Sequence, residues 1–132
     1  MRRFLALLSL ATILPLMSCS NDKPTDATPA TAPSAPAADY SSPEKAVATL
    51  IAACARGEKS AVGACFHPEA AGEFKTLLDG SVSEKDFRGL CEMFAGARVL
   101  GVDGERVKVQ LSKREETLAM KQDGAAWKVL DF

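Results

Sequence analysis

Few residues in this chain have side chains suited to chemistry, and they are far apart: Cys19, Cys54, Cys65 and Cys91, the single histidine His67, the single tyrosine Tyr40, and Asp131 beside the C-terminal Phe132. Cys19 stands apart from the others, at the end of an N-terminal apolar run. An oxidising compartment allows disulfides, but Cys54, Cys65 and Cys91 are three thiols and leave one unpaired. A Cys54–Cys65 bridge joining two sequential helices is preferred. Cys54–Cys91 is the alternative, and three buried thiols without any bridge is the third reading. No C-x-x-C spacing and no evident base partner accompany them, which argues against a redox or nucleophilic cysteine. Cys65 and His67 form a Cys-x-His pair offering two metal ligands, whereas zinc takes four, or three plus water. No metal and no cofactor is therefore expected, and His67 reads as a surface or helix-end histidine, favoured at a helix end when charged. Strand alternation would put Asp131 on one face with Trp127 and Val129, where burial could raise its pKa and make it a general base. Asp131 and His67 are the catalytic candidates. No paired-carboxylate site, phosphate-cradling glycine loop or nucleophile elbow accompanies them, so a non-catalytic role is the reading.

The context of Cys19 is distinctive. Arg2 and Arg3 precede an uncharged apolar run from Phe4 to Met17. That run is shorter than the roughly 20 apolar residues of a membrane span and fits a cleavable export signal. Leu16-Met17-Ser18-Cys19 then resembles the bacterial lipobox. The resemblance implies that residues 1–18 are a lipoprotein signal peptide, and that Cys19 becomes the lipid-bearing first residue, carrying palmitate-like acyl chains. Two or more such chains hold a protein stably on a membrane. Ser20, rather than an acidic residue, follows the cysteine, which by the same resemblance favours the outer membrane, facing the periplasm. Charge excludes another class of partner. Of 16 basic and 17 acidic residues, removing Arg2 and Arg3 leaves 14 and 17, a net of −3. No basic cluster is available to neutralise phosphates, so nucleic acid is not a partner.

The elements that must position these residues follow. Residues 19–40 form a tether after the anchor: Asp22 to Asp39 is rich in Pro, Thr, Ala and Ser and lacks aromatic and large aliphatic side chains, so it cannot offset its own ordering entropy. The folded domain is expected over 41–132. Ser42-Pro43-Glu44 is a helix start, and Val47, Leu50, Ile51 and Cys54 recur on one helical face until Gly57. A short helix is predicted from Lys59 to about Cys65, stopped by Pro68, with one or two further turns over 70–78. Ser83 with Asp86 marks another start, for a helix whose apolar face is Phe87, Leu90, Cys91 and Phe94. After Gly96 the period becomes alternating. Val99–Val102, Val107–Leu111, Thr117–Gln122 and Trp127–Phe132 read as strands, with hairpin turns at Asp103-Gly104 and Asp123-Gly124. The fold class is α+β, with N-terminal helices packed on a curved antiparallel β-sheet.

Ser-Pro-Glu-Lys-Ala-Val at 42–47, Arg56-Gly57-Glu58, Phe66-His67-Pro68-Glu69 and the closing Asp-Gly-Ala-Ala-Trp-Lys-Val-Leu-Asp-Phe resemble the NTF2-like (cystatin-like α+β) superfamily, and within it the small bacterial lipoproteins called DUF4878. The resemblance spans 41–132 and implies a cone whose apolar interior can hold a small ligand. Enzymes of that superfamily, isomerases and dehydratases, place acids, histidines and tyrosines in the cone. Here Tyr40 lies at the tether boundary instead. Phe74, Phe87, Phe94, Met120 and Trp127 are the pocket-lining candidates, with core packing as their plainer role. The expected function is thus a membrane-anchored envelope lipoprotein that binds a small apolar ligand or an envelope protein. An isomerase- or dehydratase-type enzyme, or a periplasmic inhibitor or immunity-like protein, is the alternative. A homodimer through the open sheet face is also open.

Overall fold

In the computed structural model, residues 36–132 are described, apart from residue 71. The signal segment, Cys19 and most of the tether lie outside the described residues. Helix α1 (Pro43–Arg56) starts where Ser42 accepts a hydrogen bond from the Lys45 N–H, with Pro43 at the first helical position, and it closes at Gly57. One face of α1 is fully apolar, with Ala46, Val47, Leu50, Ala53 and Cys54 buried. Helix α2 (Lys59–Ala64) follows, then a 3-10 turn (Gly72–Phe74), helix α3 (Lys75–Leu78) and helix α4 (Glu84–Phe94). A reciprocal cap opens α4: Ser83 Oγ accepts from the Asp86 N–H at 3.1 Å and donates to the Asp86 carboxylate at 2.7 Å.

Strands β1 (Arg98–Asp103), β2 (Arg106–Gln110), β3 (Glu115–Asp123) and β4 (Ala126–Asp131) form one antiparallel meander in sequential order. The sheet is open. Two of its hairpins turn at Gly104 (φ 59°) and Gly124 (φ 65°), in the left-handed region where a Cβ is disfavoured. Alternation decides which residues meet the helices. Val107, Val109, Leu111, Leu118, Met120 and Val129 are buried in one core with the apolar face of α1 and with Phe87 and Phe94 of α4. Burying a side chain such as Phe94 contributes about 2–3 kcal/mol.

The α+β class and the antiparallel meander agree with the pattern in the sequence, and three details differ. First, α2 ends at Ala64, before Pro68. Residues 65–67 leave the helix to run along the edge of β4, where Val129 N–H donates to Cys65 O at 2.8 Å and His67 N–H donates to Val129 O at 2.7 Å. Tertiary pairing, rather than proline, sets that helix end. The covered edge of β4 contrasts with β1, the other sheet edge, where Leu100 and Val102 are exposed. Second, the folded unit takes in Asp39 and Tyr40, which sequence composition groups with the tether. Asp39 N–H donates to Thr49 Oγ1 on α1, whose hydroxyl donates back to Asp39 O, both at 3.0 Å. Tyr40 O accepts from the Trp127 N–H on β4 at 2.9 Å. Third, a register shift separates the pairs Ala119–Asp131 and Met120–Val129. This β-bulge takes Asp131 off the inward face that Trp127 and Val129 share, correcting the expected alternation, and turns Phe132 inward in its place.

Candidate functional site

Phe132 belongs to a run of four aromatic rings. Phe66, held against β4, stacks on Phe74 (5.1 Å between centroids, planes 14° apart). Phe74 meets Phe132 at 4.8 Å, and Phe132 meets Phe94 edge-on at 5.7 Å and 88°. Such offset and edge-to-face pairs contribute about 0.5–1.5 kcal/mol each beyond simple burial. They join the turn after α2, the α3 region, the last residue of the chain and α4.

Beside this run lies an open groove of about 990 Å3. Phe74 and Leu77 form one wall, Leu90 and Met93 on α4 form the other, and Phe132 lies between them. Leu90 and Met93 are three apart, hence on one helical face, and both are only partly buried. Lys85, Asp86, Arg114 and Asp131 also line the groove, so its surface is mixed in polarity. The start of α4 is fixed against α2 by Lys59, whose Nζ lies 2.6 Å from Glu84 Oε1, 3.3 Å from Val82 O and 5.6 Å from the centre of the Phe87 ring. A groove lined by apolar side chains together with several charged ones can bind an apolar body and orient a polar end.

The residues singled out in the sequence fall in different places. Of the five aromatic and methionine candidates, Phe74 lines the groove, Phe87, Phe94 and Met120 are core, and Trp127 is half-buried against that core. Asp131 is exposed in the groove lining and its Oδ1 accepts from the Phe132 N–H at 2.9 Å. His67 is buried and away from the groove lining. Its Nδ1 accepts from the Glu69 N–H at 3.0 Å, so the neutral ring carries its proton on Nε2. The side chain closes the turn that Glu69 then ties to Lys121 by an ion pair. The two catalytic candidates are therefore not brought together at the groove, which Asp131 lines and His67 does not.

The three described cysteines are free thiols. Cys65 is fully buried, donates to Ala61 O at 3.2 Å and lies 3.8 Å from the Tyr40 hydroxyl. Burial pushes its thiol up to about 11 and, with Cys65 as neighbour, raises the Tyr40 hydroxyl to about 12. Cys54 is raised further still, chiefly by burial and then by the neighbouring thiols of Cys91 and Cys65. Among the described residues no three His, Cys, Asp or Glu side chains gather as a metal site, and no helix is long and apolar enough to cross a membrane.

Leu77, Met93, Lys85, Arg114 and Phe132 were not evident as site residues from sequence. A usable signal existed in α4, where Leu90 and Met93 widen the apolar face beyond what the Phe87–Phe94 core stripe needs. Phe132 could not be assigned inward without knowledge of the bulge. No protein-family model, curated protein or solved structure matches this chain.

Proposed function

We propose that this chain is an envelope lipoprotein, anchored through Cys19, whose α+β domain is a non-catalytic module binding a small apolar ligand. The observation that carries the binding role is the groove between Phe74–Leu77 and Leu90–Met93, where these apolar side chains share the lining with the charged Lys85, Asp86, Arg114 and Asp131. The anchor rests on the order of Arg2-Arg3, the apolar run and Leu16-Met17-Ser18-Cys19. On this reading the domain belongs with the NTF2-like α+β proteins, on an outer membrane facing the periplasm, and the ligand sits at the open end of the helix–sheet sandwich. The sheet's inner face is occupied by core side chains such as Met120 and Val129.

Native mass spectrometry of the full chain, extracted gently from a bacterial envelope, tests the binding role. A bound small molecule that leaves on denaturation, and is lost in Leu90→Asp, supports it. A bare mass at every extraction condition refutes it. Membrane fractionation of Cys19→Ala tests the anchor separately, since the variant must appear in the soluble fraction. Continued pelleting of that variant with membranes overturns lipidation at this residue.

A further inference from the structure

We infer that the open edge of β1 pairs with the same edge of a second copy of this chain, the two β1 strands running antiparallel about a two-fold axis. Outside its pairing with β2, the backbone of β1 makes no backbone hydrogen bond among the described residues, so its outward N–H and C=O groups are available to another strand. Leu100 and Val102, 47% and 45% exposed, are the two large apolar side chains left in solvent among the described residues, and both lie on this strand. The strand has neither the lysine nor the proline that commonly guards such an edge. A bulge often guards an edge as well, but the one in β1 makes the strand complementary to itself.

The register with β2 jumps from Val99–Val109 to Gly101–Lys108 and leaves Leu100 as an extra residue. Residues opposite each other in a sheet share a face, and Val107 and Val109 are buried while Arg106 and Lys108 are exposed. Val99 and Val102, opposite Val109 and Val107, therefore share the inward face. Arg98 and Asp103, opposite Gln110 and Arg106, share the outward one. Without the extra residue, positions five apart would point to opposite faces. When two such strands pair antiparallel about the Leu100-Gly101 link, Arg98 of each copy stands opposite Asp103 of the other, and Val99 stands opposite Val102. Arg98 and Asp103 are both exposed, and neither makes an ion pair among the described residues. The central Gly101 has open space where a Cβ would stand, which leaves room for Leu100 of the second copy. The β1 edge shares no residue with the groove lining, so the pairing does not depend on whether the groove binds a ligand.

One short strand from each copy makes a small interface, below the roughly 1,200 Å2 of stable complexes, so the dimer should grow with concentration. Sedimentation of the full chain in detergent solution, at rising protein concentration, is expected to show a monomer–dimer equilibrium. Arg98→Asp and Asp103→Arg each set like charges opposite one another twice across the axis, and each should raise the dissociation constant by at least about tenfold. Mixing these two variants puts opposite charges back at both positions, as does the double variant R98D/D103R, and both should regain the dimer. Recovery on mixing cannot come from a chain that fails to fold. A monomer at every concentration overturns the inference, whether the edge then stays in solvent or is covered by another part of the chain. A dimer indifferent to both charge reversals overturns it, and so does a loss that neither the mixture nor the double variant repairs.

Discussion

Replacing Gly63 with alanine is a sensitive test of how α2 and α3 are packed. A Cβ built on Gly63 lies 2.6 Å from the backbone oxygen of Leu77, whereas ordinary contact begins near 3.4 Å. One of the two segments must move by about 0.8 Å, and the obstacle is main chain, which cannot rotate aside as a side chain would. Against this stands the gain from replacing a helical glycine, about 1 kcal/mol. Overpacking costs typically 1–3 kcal/mol, and the upper part of that range applies because the clash is with backbone. The net expectation is a loss of about 1–2 kcal/mol, a thermal midpoint lower by roughly 5–15 °C for a domain of this size. Gly89→Ala is the matched control. Gly89 is also helical, in α4, but a Cβ there meets nothing within 4 Å, so the same substitution should stabilise by about 0.5–1 kcal/mol. Thermal and urea unfolding of both variants beside the parent chain measure the two signs. A Gly63→Ala protein as stable as the parent would refute the close approach of α2 to Leu77.

Acid should weaken the fold through Asp39. Hydrogen bonds from the Ser41 side chain and backbone, then Lys45, hold its carboxyl near 2, below its ordinary 3.8. The contribution is therefore complete above about pH 4 and lost as pH falls toward 2. In Asp39→Asn, stability measured by urea unfolding should fall less steeply across that window. Ser83→Ala removes both halves of the α4 cap and should cost about 1 kcal/mol in the same assay. Phe132→Ala deletes two ring contacts at once, and a loss of about 2–4 kcal/mol is expected. An unchanged unfolding midpoint in that variant would show that the C-terminal ring is not packed between Phe74 and Phe94.

The parts of this fold that could be read from sequence are those governed by neighbours in the chain. Ser42-Pro43 and Ser83 with Asp86 carry their caps within three residues, and Asp103-Gly104 and Asp123-Gly124 carry their turns within two. All four appear where local chemistry puts them. Long-range pairing was the part that could not be read. The end of α2 depends on Cys65 and His67 finding Val129 more than 60 residues later. The facing of Asp131 and Phe132 depends on a bulge opposite β3, which period-two alternation cannot foresee. The groove inherits that uncertainty because Phe132 sits between its walls. The thiols show the same division. Apolar periodicity placed Cys54 and Cys91 on inward faces, but it could not say that Cys54 is buried while Cys91 is only half-buried.

The fastening of residues 39 and 40 has a mechanical consequence. Asp39 is bonded to the middle of α1 through Thr49, and Tyr40 to β4 through Trp127. Tension applied along the chain from the N-terminal side reaches these bonds before it reaches the first turn of α1. It is shared between a helix and a strand that are themselves packed together, so the load is borne by several bonds at once instead of being concentrated on one. Under such tension the first thing to yield is the two-residue strap, and the Ser42 cap behind it is shielded until the strap has let go.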